Sequence, residues 1–119
     1  MNGTMKIFSG SSHPDLATEI ATYLGQDLGK IKLSLFSCGE IYARYLENIR
    51  GVEVFLIQTT TEHINRSMME LLVMIDAARR ASAKNIHVVL PHYPYSRQDK
   101  KSASREQISA RLIAILLVA

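Results

Sequence analysis

The sequence predicts an α/β domain built on a mostly parallel sheet flanked by helices. Three observations carry that prediction. Short β-rich runs alternate along the chain with segments of helical periodicity, the order that builds parallel strand pairs through right-handed crossovers. Residues 52–58, Val-Glu-Val-Phe-Leu-Ile-Gln, are almost continuously apolar and rich in β-branched side chains, as a strand covered on both faces must be. Residues 68–81 hold a strong helical pattern with Arg79 and Arg80 at its end, where cations complement the helix dipole.

Taken in order, residues 6–9 form a short strand, Gly10-Ser11-Ser12 turn the chain, and Pro14-Asp15 suit the first turn of a helix. That helix carries Leu16, Ile20 and Leu24 as an apolar stripe for packing on a sheet, and Gly25 and Gly29 end it. Residues 31–36 alternate apolar and polar side chains as a half-buried strand does, and residues 41–46 read as another strand. Residues 36–40 are then the bend between them, with Cys38 as a small residue in that turn. Residues 47–51 make a second turn, and the 52–58 strand takes the centre of the sheet. The next helix begins near residues 64–67, with Asn65 or Ser67 as its cap. Met69, Leu72, Val73, Asp76 and Ala77 lie on one side of it. Its three methionines, Met68, Met69 and Met74, are expected to fill core. Residues 85–90 form the next strand. Residues 107–118 place Ile108, Leu112, Ile115 and Leu116 on one helical face. The chain then stops on an apolar run without a glycine, polar cap or basic last turn, which predicts a cut inside a longer structure.

The 119 residues suit one small domain, residues 1–119, and 47% hydrophobic content permits a core. A formal charge of +3 suits an anionic small molecule as readily as nucleic acid. Cys38 is the only cysteine, so no intrachain disulfide can form, and a reducing interior is expected. No apolar stretch can span a bilayer and no signal pattern opens the chain, so a soluble, cytoplasmic protein without membrane contact is expected. The nucleotide fingerprints Gly-x-x-x-x-Gly-Lys-Ser/Thr and Gly-x-Gly-x-x-Gly are missing. His13, His63, His87 and His92 lack the spacing of a helical metal pair, and no metal ligand is assigned in this chain.

The functional signal is concentrated in residues 91–105. Pro91 and Pro94 hold the entry extended, because each fixes φ and pushes its predecessor out of the helical region. Arg97, Lys100, Lys101 and Arg105 follow among Ser96, Ser102 and Ser104, a donor set suited to phosphate oxygens. The segment leaves the carboxyl end of a strand, where open α/β sheets bind ligands, and the turns after Ser9 and Gln58 share that edge if their strands run parallel to it. A solvated basic loop, or a nucleic-acid contact helped by Tyr93 and Tyr95, uses the same residues. The prolines flanking those tyrosines weigh against nucleic acid.

Laid out in this way, the chain resembles the N-terminal domain of the ribose-phosphate pyrophosphokinase (phosphoribosyl pyrophosphate synthase) family. The matching blocks are residues 5–10, 36–40, 47–51, 69–77, 80–83 and 93–101, and Tyr95-Ser96-Arg97-Gln98-Asp99-Lys100 is the most specific part. The resemblance implies a phosphoribosyltransferase-like fold, and an enzyme that transfers diphosphate from ATP, with Mg2+, to ribose 5-phosphate. By resemblance, Arg97, Gln98, Asp99 and Lys100 line the ATP site, while Phe36 and Glu40 reach the adenine of a neighbouring subunit in a homo-oligomer. Arg50, Ser82, Ser104 and Arg105 fall at the positions of an effector site for phosphate or ADP.

Departures from the family pattern sharpen the expectation. Cys38 stands where the family usually has Asp or Asn, and a thiol is a poor partner for an adenine amino group. Ser96, Gln107 and Ile115 replace the usual alanine, proline and asparagine. The chain also ends before the family's metal-binding histidine and before its ribose 5-phosphate loop, so a second domain is absent, the metal ligands lie outside the chain, and these residues alone are expected to be inactive. Two readings follow. One is the ATP-binding and oligomerisation half of a synthase serving nucleotide biosynthesis; the other is a non-catalytic, synthase-like regulatory subunit.

Overall fold

The computed structural model describes residues 4–59 and 63–91. The expected site residues Arg97, Gln98, Asp99, Lys100, Ser104 and Arg105, and the helix expected over 107–118, lie outside the described residues. The elements run β1 (Met5–Ser9), α1 (Pro14–Tyr23), β2 (Ile31–Leu35), β3 (Ile41–Tyr45), β4 (Glu53–Ile57), α2 (Ile64–Arg80) and β5 (Asn85–Val89).

The apolar run after Gly51 takes the place its composition requires. Strand β4 lies between β1 and β5, parallel to both, with Phe55 beside Ile7 on one side and His87 on the other. Side chains alternate across a strand, so each face of this sheet meets a different helix. Phe8, Val54 and Leu56 pack with Met68, Leu71, Met74, Ile75 and Ala78 of α2, while Ile7 and Ile57 pack with Ala17 and Ala21 of α1.

Burial corrects two of the expectations, and the helix boundary corrects a third. On α1 the covered stripe is Ala17 and Ala21, and Leu24 is 53% exposed. Alanines let the helix backbone approach Ile7 and Ile57 closely, and Ile20 packs at the margin of that contact. On α2 the covered face carries Ser67, Met68, Glu70, Leu71, Met74, Ile75 and Ala78, while Met69 is 54% exposed. Two of the three methionines therefore fill core, and the third faces outward. Two polar residues on the buried face shift the helix away from the register that its apolar residues alone suggest. The cap of α2 is His63, in the left-handed region at φ 44°, rather than Asn65 or Ser67. The helix starts earlier than those caps require, and Ser67 is buried inside its second turn.

Strands β2 and β3 form a separate antiparallel hairpin, with Leu35 paired to Ile41 across the expected bend. Ile31, Leu33, Ala43 and Tyr45 turn its inner face onto the α2 side of the core. The Tyr45 hydroxyl donates to the Met74 carbonyl at 2.8 Å, and its ring meets Phe8 edge-on at 4.8 Å. Burial pushes the Tyr45 phenol up, so it stays a neutral donor. At the root of the hairpin, hydrogen bonds from the Lys6 ammonium and the Lys30 amide hold the Glu47 carboxyl below its usual range.

Candidate functional site

Parallel pairing puts the carboxyl ends of β1, β4 and β5 on one edge, and a buried polar cluster is built there. Gln58, just past β4, is 1% exposed, and Glu70 of α2 is 6% exposed. The Glu70 carboxylate accepts from the Ser11 amide at 2.7 Å, the Ser11 hydroxyl at 2.7 Å and the Gln58 amide nitrogen at 2.8 Å. The Gln58 amide oxygen accepts from the Ser12 hydroxyl at 2.6 Å and the Ser12 amide at 3.3 Å. Its nitrogen donates in addition to the Ser67 carbonyl at 3.2 Å. The Thr59 amide donates to the Ser12 hydroxyl at 3.2 Å, and the Gln58 amide donates to the Val89 carbonyl at 3.1 Å. A Cβ on Gly10 would collide with the Gln58 side-chain amide and could be admitted only by moving that amide off its partners on Ser12, Ser67 and Glu70.

The hairpin tip has the opposite character. The Phe36 amide donates to the Glu40 carbonyl at 2.7 Å and the Gly39 amide to the Phe36 carbonyl at 2.8 Å, with Gly39 at φ 97° where a side chain would be strained. This tight turn leaves Phe36 52% exposed, set edge-on to Tyr42 at 5.9 Å. The Cys38 thiol is exposed and lies 3.5 Å from the Glu40 carboxylate, within reach as a weak donor. Phe36, Cys38, Gly39, Glu40 and Ile41 face Met69 and Val73 of α2 across an open cleft of about 600 Å³, within the usual range for a small-molecule site. The tip thus places Phe36 and Glu40 on one rim of the cleft.

Arg50 and Ser82 also come into neighbouring turns. The Gly51 amide donates to the Ser82 carbonyl at 2.9 Å, and Ser82 occupies the left-handed region at φ 66°. Both turns precede strands, so they lie at the amino edge of the sheet. Met69 in the cleft and Arg80 beside this turn are separated by roughly 17 Å of helix. Of the expected site residues that are described, Phe36 and Glu40 therefore lie against the middle of α2, and Arg50 and Ser82 lie near its carboxyl end. Among the described residues, no group of three or more histidine, cysteine or acidic side chains could hold a metal, and no helix is long and apolar enough to cross a membrane.

Comparison with known proteins gives this architecture a family. The family model for the N-terminal domain of ribose phosphate pyrophosphokinase matches residues 5–119. This chain belongs to the ribose-phosphate pyrophosphokinase family. Ribose-phosphate pyrophosphokinase 1 of Spinacia oleracea is 53% identical over 113 residues, covering 95% of this chain and 34% of that protein. The ribose-phosphate pyrophosphokinase of Oceanobacillus iheyensis is 49% identical over 116 residues, covering 98% of this chain and 37% of its own length. The crystal structure of phosphoribosylpyrophosphate synthetase from Mycobacterium smegmatis superposes with a TM-score of 0.94 at 44% identity, over 97% of this chain and 39% of that one. The phosphoribosyltransferase-like α/β fold expected from the sequence is the fold observed. The chain spans about a third of the length of these curated pyrophosphokinases.

Sequence reading singled out the hairpin turn and the basic segment but passed over Ser11, Ser12, Gln58 and Glu70. The turn after Ser9 and the end of the 52–58 strand were both placed at the ligand edge. What the sequence did not signal was that Glu70, twelve positions beyond Gln58, returns to meet them.

Proposed function

We propose that this chain is the ATP-binding and oligomerisation part of a synthase that transfers diphosphate from ATP to ribose 5-phosphate, forming phosphoribosyl pyrophosphate for nucleotide biosynthesis. The observation that carries the reading is the cleft in which the Phe36–Glu40 turn faces α2, an aromatic face and a carboxylate held at the rim of an open pocket. A ring such as Phe36 suits stacking on a base, and Glu40 can accept from an exocyclic amine. In this reading Phe36 and Glu40 serve the nucleotide of a neighbouring subunit, and Arg97, Gln98, Asp99 and Lys100 hold the phosphates and nucleoside. Arg50 and Ser82, whose turns lie near the carboxyl end of α2, belong in this reading with Ser104 and Arg105 to a second anion site for phosphate or ADP. Magnesium arrives with ATP and neutralises phosphate charge; its protein ligands belong to other residues of the complete enzyme, as does the ribose 5-phosphate site.

The position of Cys38 favours a second reading. Its thiol lies beside Glu40 at 3.5 Å in the turn that meets the nucleotide, so base recognition is weakened there. A synthase-like subunit that regulates active relatives fits that feature. Calorimetric titration of magnesium ATP into this chain and into Cys38→Asp separates the readings. Comparable binding by both supports the enzyme part, and binding by the variant alone, with co-purification of an active synthase, supports the regulatory subunit. Absence of binding in both overturns the claim that this chain is itself an ATP platform.

A further inference from the structure

The β1–α1 connection has the location of an anion-binding turn, between a strand end and a helix N-terminus, yet its donors point the other way. The amides and hydroxyls of Ser11 and Ser12 are all directed into Gln58 and Glu70. Proline at the start of α1 has no amide hydrogen, and the His13 ring accepts from the Leu16 amide at 3.1 Å. This turn is therefore turned inward, and its job is to fix something else.

Glu70 is the unusual member of the cluster. It is buried, and the ion pairs among the described residues involve other carboxylates. Its three donors are neutral groups, two of them from Ser11 and one from Gln58. A buried polar network whose members are all satisfied rigidifies the elements it joins. The geometry here is a single rigid edge. Gln58 is bonded to the turn after β1 through its side chain and to the end of β5 through its main chain, and Gly10 is bonded to the Ile57 carbonyl at 2.9 Å. Strand β5 runs directly into Leu90, packed on the α2 side of the core, and Pro91, where the basic segment begins.

We propose that Glu70 is a positioning residue which, through Ser11 and Gln58, locks the carboxyl ends of β1, β4 and β5 together and so fixes the point from which the phosphate-binding segment departs. The proposal rests on the nucleotide reading above and assigns a role to residues that touch no ligand. What matters in it is hydrogen-bond geometry rather than charge. Glutamine at position 70 can still accept from Ser11 and Gln58 through its oxygen, and can donate to the Ser11 hydroxyl, which reverses its role. Alanine leaves the Ser11 and Gln58 donors without their acceptor.

The test titrates magnesium ATP into the wild-type chain, Glu70→Gln and Glu70→Ala, and follows amide exchange at Ser11 in each. Glu70→Ala is expected to weaken binding at least tenfold and to accelerate Ser11 exchange by a similar factor at temperatures where the variant remains folded. Glu70→Gln is expected to stay within twofold of wild type in both. Equal affinity in wild type and Glu70→Ala overturns the positioning role and leaves the nucleotide reading intact, and an equal loss in Glu70→Gln and Glu70→Ala overturns it in favour of charge. If Glu70→Ala does not fold, Ser12→Ala replaces it, cutting the turn from Gln58 while keeping Glu70; a loss of threefold or more supports the proposal and unchanged affinity overturns it. Failure of the wild-type chain to bind overturns the nucleotide reading instead. Exchange then decides the lock alone, with Ser11 equally protected in wild type and Glu70→Ala counting against it, and protection lost in Glu70→Ala but kept in Glu70→Gln counting for it.

Discussion

The carboxyl edge of the sheet and the tip of the hairpin flank the same helix and are built on opposite terms. At the edge, polar side chains are buried and every buried side-chain donor and acceptor among the described residues is satisfied. At the tip, apolar side chains stand in solvent, with Leu35 46% and Phe36 52% exposed and Met69 54% exposed beneath them. Buried polar groups persist where their partners are all supplied from within the fold, and exposed apolar ones collect where a surface meets something outside it. Among the described residues the edge satisfies its own polar groups, whereas the tip presents groups whose use depends on what occupies the cleft.

Substitutions that treat the two regions alike sharpen this contrast. The largest effect is expected at Gly10, where even one methyl group meets the Gln58 amide; Gly10→Ala is expected to lower unfolding free energy by about 3 kcal/mol, measured by urea titration. A value near zero would show that the edge is not tightly packed. Tyr45→Phe is intermediate, since it removes one hydrogen bond to Met74 and keeps the ring against Phe8, and a loss of about 1 kcal/mol is expected in the same titration. It tests whether the hairpin is anchored at its base. Phe36→Ala at the tip is expected to change stability by less than about 0.5 kcal/mol while lowering magnesium ATP affinity in calorimetry. A stability loss as large as that of Gly10→Ala would erase the distinction between a finished edge and an open tip.

Much of this was legible in the residues. The apolar, β-branched character of the 52–58 run and its short length after the Gly51 turn pointed to a central strand, since such a run suits a strand covered on both faces. The alternation in residues 31–36 and the turn at Cys38-Gly39 indicated two extended segments joined by a bend, each a property of a few adjacent residues, and the structure pairs them as an antiparallel hairpin. The Phe36 and Glu40 pair was singled out by the resemblance to the family's turn, not by the local pattern of residues.

Tertiary structure decided what depends on distant partners. Leu16, Ile20 and Leu24 form a plausible stripe on α1, but the sheet selected Ala17 and Ala21 because close approach of the helix favours small side chains over large ones. Met69 looked like core and became the floor of a cleft, because Ser67 and Glu70 turned α2 inward along their own side. A glutamate on a helix reads as solvent-facing until its acceptors are matched with donors. Those donors come from Ser11 and Gln58, and only the parallel joining of β1 to β4 brings them to Glu70.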